Sequence, residues 1–126
     1  MTHIIAISNE KGGVAKTTTT LSLGAALSEM GQRVLLIDLD AQANLTLALG
    51  LEPGENDRTS SNVLIEVMPL MSARRATDIE RLDLIPSNSR IETAEQFLPV
   101  RTGFTTTLRR SIQAAGVNSQ YDYVLM

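Results

Sequence analysis

A chain of 126 residues with 43% hydrophobic and 20% charged residues has the length and make-up of one small folded domain, which argues against disorder. Its net charge of −3 gives no overall attraction to nucleic acid or to an anionic membrane. Cysteine is absent, which excludes a disulfide framework, a thiolate metal site and a cysteine nucleophile. No apolar run nears the length of a membrane span and no secretory leader is visible, so a cytoplasmic protein with no membrane segment is expected.

In chain order, His3 to Ser8 reads as a short apolar strand buried on both faces, as in a parallel sheet. Asn9 to Ala15 reads as a glycine-bearing turn, and Lys16 to Met30 as a helix. The helix is expected to face the core through Leu21, Ala25 and Ser28, with Leu23, Ala26, Leu27 and Met30 beside them. Gly31 stands where a left-handed C-terminal cap belongs. Arg33 to Ile37 is a second buried strand, which completes a βαβ unit with a parallel crossover. Ala43 to Leu49 predicts a short helix closed by Gly50, and Glu52 to Ser61 a polar loop. Val63 to Met68 suggests a helical turn or two, and Met71 to Thr77 carries no clear pattern. Leu82 to Ile85 is a third strand stopped by Pro86; Ile91 to Leu98 and Phe104 to Ala115 are helical candidates; Tyr121 to Met126 begins a fourth strand. That strand stops inside an apolar run, which reads as a truncation. The expected fold is α/β, a mostly parallel sheet with flanking helices over a single domain, 1–126, incomplete on its C-terminal side.

The chemistry concentrates in Lys11-Gly12-Gly13-Val14-Ala15-Lys16-Thr17-Thr18, which follows a strand and opens a helix. Glycines let backbone N–H groups converge on phosphate oxygens, and a helix N-terminus adds partial positive charge. The chain has only two lysines, Lys11 and Lys16, against nine arginines, and both lysines fall in this segment. A lysine ammonium is compact enough to sit inside a phosphate loop, where a planar guanidinium is not. The standard G-x-x-x-x-G-K-[ST] pattern is not met, because its two glycines fall on Glu10 and Ala15. A second feature is Val34 to Gln42, a buried strand that delivers Asp38 and Asp40 to the carboxyl edge where α/β folds bind ligands.

The first segment resembles the deviant Walker A signature, KGGxxKT[ST], of the ParA, Soj and MinD ATPases. Val34 to Gln42 resembles that family's second acidic motif. Leu84-Ile85-Pro86-Ser87-Asn88 resembles its LIPSN segment, and Tyr121 to Met126 resembles the approach to its Walker B aspartate. The resemblance runs through the whole chain and covers about half of a usual member, nearest to the ParA partitioning ATPases. It implies a P-loop fold, with ATP and Mg²⁺ as cofactors. Lys11, Gly12, Gly13, Val14, Ala15, Lys16, Thr17 and Thr18 would hold the nucleotide. Thr17 would ligate the metal, with Asp38 near its shell. Lys16 and Asp40 would act in hydrolysis, Asp40 by orienting water, and Lys11 would reach the partner's ATP across a dimer. The complete protein is then expected to be a slow partitioning ATPase that forms a homodimer on ATP. It would bind DNA nonspecifically and answer to a ParB-like activator.

Two departures from the family pattern are Ala15 in place of glycine and Ala41 in place of proline. Ala15 is harmless only with a negative φ. The rival readings are a MinD-like membrane-cycling ATPase and a non-hydrolysing nucleotide-binding scaffold. Asp38 and Asp40 also read as a turn pair after a strand, and Arg109-Arg110 as a solvated helix face.

Overall fold

The computed structural model describes residues 2–7, 13–54, 57–66, 68–93 and 100–126, with backbone only at 13–15, 100–105 and 118. In chain order the elements are β1 (His3–Ile5), α1 (Gly13–Glu29), β2 (Val34–Ile37), α2 (Asn44–Ala48) and α3 (Ser60–Ile65). A 3₁₀ turn (Leu70–Ala73), β3 (Arg75–Ala76), β4 (Leu82–Ile85), α4 (Val100–Ala114), a second 3₁₀ turn (Val117–Ser119) and β5 (Tyr123–Leu125) follow. The five strands form one sheet in the order β1-β5-β2-β4-β3. Every pairing is parallel except that of β3 with β4.

Strand β2 lies at the centre, and all four of its residues are buried. Alternation along the pleat sends Val34 and Leu36 to one face, against α1 and α2, and Leu35 and Ile37 to the other, against α3 and α4. Burying each such side chain contributes about 1.5–3 kcal/mol, so both layers are fastened through this one strand. The expected α/β architecture is present.

Several local expectations need correction. Helix α1 begins at Gly13, three residues before the expected start. Its buried line is Thr20, Gly24 and Ser28, while Ala26 is exposed and Met30, in the turn after the helix, is 73% exposed. Small residues allow close approach to the sheet: a Cβ on Gly24 would stand 3.0 Å from Leu82 Cδ1 and 3.1 Å from Leu36 Cδ2. The buried hydroxyls of Thr20 and Ser28 are satisfied within their own helix, donating to the carbonyls of Lys16 and Ala25 at 2.8 Å each. At the other end Gly31 has φ +84°, its N–H bonds the Ser28 carbonyl, and the Gln32 N–H bonds that of Leu27. This is the Schellman closure that its position implied.

Strand β1 is not buried on both faces. It pairs with β5 alone, and Ile4 is 48% exposed; two-sided burial needs cover on both faces, which an edge strand here lacks. Ser8 lies outside the described residues. Helix α3 starts at Ser60, inside the expected polar loop, because Thr59 and Asn62 form a capping box. Thr59, Ser60 and Ser61 are buried. Of the expected 91–98 helix, 91–93 forms a helical turn and 94–98 lies outside the described residues.

The second face is also tied by a polar cross-strand bond. Tyr121 donates its hydroxyl to Asp83 Oδ2 at 2.6 Å. Burial, and then this bond, push the tyrosine pKa up to about 12. An unfolded tyrosine ionises near pH ~10, so the stability Tyr121 lends is complete below that pH. It is lost as pH rises through about 12. Melting temperatures measured across this alkaline window should therefore fall more steeply for the unsubstituted chain than for Tyr121→Phe. Parallel slopes would show that another group governs the loss.

Candidate functional site

The parallel register brings the ends of β2 and β4 level, with Ile37 opposite Ile85. The residues that follow each strand therefore emerge at one carboxyl edge. Helix α1 starts at the same edge, and a cleft of about 650 Å³ opens there. Lys16 and Thr17 from the first turns of α1 line it together with Asp38 and Asp40. Thr18 is exposed and does not belong to that lining. Ala15 lies within α1 and so has the helical, negative φ that an alanine accepts. Gly13 and Val14 open the same helix, while Lys11 and Gly12 lie outside the described residues. Arg109 and Gln113 of α4 form part of the far wall, which is otherwise largely apolar. The sequence reads Arg109 as a solvated helix face, and it is exposed while also lining the cleft; Gln113 carried no signal.

Asp38 is 3% exposed. Its Oδ2 accepts both the N–H and the hydroxyl of Thr46, at 3.0 and 2.6 Å, and its Oδ1 accepts the Asp40 N–H at 3.1 Å. Burial pushes this carboxyl above its usual range, and those three bonds partly oppose the shift. Among the described residues it has no ion-pair partner. A buried carboxyl with no cationic partner among the described residues is a place where an added cation is favourable. Asp40 is less enclosed: Oδ1 accepts the Gln42 N–H and Oδ2 the Asn44 side-chain amide, at 3.0 Å each. These bonds shape the turn that leads through Ala43, at φ 54°, into α2. Asp38 and Asp40 thus shape the turn after β2 and at the same time line the cleft.

The sequence reading missed three buried residues that hold this loop: Thr46, Ser60 and Ser87. Ser60 donates to the Asp38 carbonyl and Ser87 to the Asp40 carbonyl, each at 2.8 Å. Ser87 lies in the Leu84 to Asn88 segment whose family likeness was visible; Thr46 and Ser60 carried no signal.

Oxygen donors, a lysine and a helix start facing one cleft suit a phosphate ester with a hard divalent cation. Among the described residues no three His, Cys, Asp or Glu side chains converge as a metal cage. Mg²⁺ would accordingly be held jointly by the Thr17 hydroxyl, phosphate oxygens and water, with Asp38 close by. Also among the described residues, no helix is long and apolar enough to cross a membrane.

A family profile described as an AAA domain matches residues 2–126. The chain is 39% identical over 126 residues to the sporulation initiation inhibitor protein Soj of Bacillus subtilis, covering 100% of this chain and 49% of Soj. It is 38% identical over 124 residues to the chromosome partitioning protein ParA of Caulobacter vibrioides, covering 98% and 46%. A crystal structure of cobyrinic acid a,c-diamide synthase from Mycobacterium smegmatis, with bound ATP analog and magnesium, superposes with a TM-score of 0.87. Identity there is 40%, over 99% of this chain and 50% of that one. The chain spans about half the length of the curated relatives it matches.

Proposed function

We propose, from the premise that this chain belongs to the ParA, Soj and MinD family of ATPases, that its cleft binds Mg-ATP and that the chain forms the N-terminal part of a P-loop ATPase domain. One observation carries the reading: Lys16 and Thr17 from the start of α1 and Asp38 and Asp40 from the end of β2 line one cleft. ATP bound there supplies the phosphoryl group that hydrolysis transfers to water. Lys16 holds the terminal phosphates, and the Thr17 hydroxyl, with Asp38 nearby, holds the metal. Asp40 orients the attacking water. Gly12, Gly13, Val14 and Ala15 are assigned to the phosphate cradle through their backbone N–H groups, and Thr18, exposed and outside the cleft lining, is left out of it. Among the described residues no histidine or glutamate lines the cleft, and hydrolysis is assigned to positioning and charge neutralisation, which makes it slow.

For the whole protein we propose a cytoplasmic partitioning ATPase. ATP drives its homodimerisation, the dimer binds DNA nonspecifically, and a ParB-like partner stimulates turnover. Lys11 is assigned the contact to the partner's ATP. In the whole protein Lys11→Ala should keep ATP affinity within about twofold, since a contact made only in the dimer adds nothing to monomer binding. Sedimentation with ATP and phosphate release should show dimer formation and turnover both lost. Normal turnover in that variant would contradict the assignment.

A further inference from the structure

We infer that Thr46, outside the phosphate loop and the acidic pair, is a positioning residue that fixes both aspartates for the metal-nucleotide; this rests on the reading of the cleft given above. Thr46 is 0% exposed on the short helix α2. Its hydroxyl has one proton, donated to Asp38 Oδ2 at 2.6 Å, and its lone pair accepts the Ser87 N–H at 3.0 Å. With its own N–H on the same Oδ2, Thr46 occupies one carboxylate oxygen twice. Oδ1, bonded once, to the Asp40 N–H, keeps the spare lone pairs. Ser87 in turn bonds the Asp40 carbonyl through its hydroxyl. The Thr46 hydroxyl therefore bridges β2's exit, β4's exit and α2, and the Asp38–Asp40 turn is held between them. Both hydrogen-bond functions of the Thr46 hydroxyl are thus taken up by the two segments that leave β2 and β4 at the cleft's edge.

Thr46→Val keeps the shape and removes the bridge, leaving the Ser87 N–H without its acceptor. The test compares ATP affinity with and without Mg²⁺ by calorimetry, and amide hydrogen exchange, in the unsubstituted chain, Thr46→Val and Thr46→Ser. A lost hydrogen bond to a charged group predicts that the magnesium-dependent gain in ATP affinity falls about tenfold or more in Thr46→Val. Affinity without Mg²⁺ should hold within about twofold, and the Ser87 and Asp40 amides should exchange faster. Thr46→Ser, which keeps the hydroxyl, should behave as the unsubstituted chain; a loss there too would make the methyl group the cause and overturn the inference. An undiminished magnesium gain in Thr46→Val overturns it as well. So does an equal loss with and without Mg²⁺ accompanied by faster exchange at Leu35 and Leu36, the mark of general loosening. No ATP binding by the unsubstituted chain would overturn the nucleotide reading itself.

Discussion

Lys16→Ala should weaken Mg-ATP binding by about two orders of magnitude or more, the usual scale for deleting one member of a desolvated charge pair. Lys16 is half-buried in the first turns of α1 and lines the cleft beside Asp38 and Asp40. Without its ammonium, two carboxylates would face the phosphates, opposed among the described residues by Arg109 across the cleft and by the helix N-terminus beside them. That terminus is worth about 0.3–2 kcal/mol toward an anion, too little to replace a contact charge. Folding should be untouched, because the ammonium has no ion-pair partner among the described residues. Calorimetry alongside thermal melting separates the two effects. Retained affinity at an unchanged melting temperature would refute the assignment of this lysine to the phosphates.

Gly24→Val is expected to be the most damaging single change to the scaffold. Helix α1 rests on the sheet through Gly24, and a Cβ would lie 3.0–3.1 Å from the ends of Leu82 and Leu36. Those leucines are 1% and 0% exposed, so they have nowhere to go. Overpacking of this kind costs about 1–3 kcal/mol, or a melting temperature lower by roughly 4–12 °C. Because α1 also carries Lys16 and Thr17, lifting it from the sheet should weaken nucleotide binding too. Gly24→Ala provides the control: it gains about 1 kcal/mol of helix propensity against the same two tight contacts but without the two further methyl groups of valine, and should lose far less. Equal melting temperatures for Gly24→Val and the unsubstituted chain would show that α1 does not sit on the sheet as described.

What the sequence made legible were features written in short-range chemistry. The apolar run Val34 to Ile37 could only be a buried strand, and Gly31 could only close a helix. Lys16 and the two aspartates, singled out by the chemistry of phosphate and metal, line one cleft. What stayed hidden depends on partners far along the chain. Nothing in Tyr123–Leu125 says that it inserts between β1 and β2. The two-residue strand β3 has no periodicity of its own and exists through its pairing with β4. The Thr20–Gly24–Ser28 face escaped the apolar pattern because closeness, not hydrophobicity, recommends those residues. Thr46, Ser60 and Ser87 read as ordinary polar residues because their value lies in bonds to the two aspartates. The start of α3 was readable in principle, since Thr59 and Asn62 stand at capping-box spacing, but Asn is a less familiar partner there than Glu or Gln.

The most direct test of the central claim is a calorimetric titration of this chain with Mg-ATP and, in parallel, with AMP. A cleft built around Lys16, Thr17 and a helix start recognises the phosphate chain. ATP should therefore bind about a hundredfold or more tighter than AMP, as charge-assisted contacts to the outer phosphates require. Equal affinities for the two, or no binding of Mg-ATP, would contradict the account.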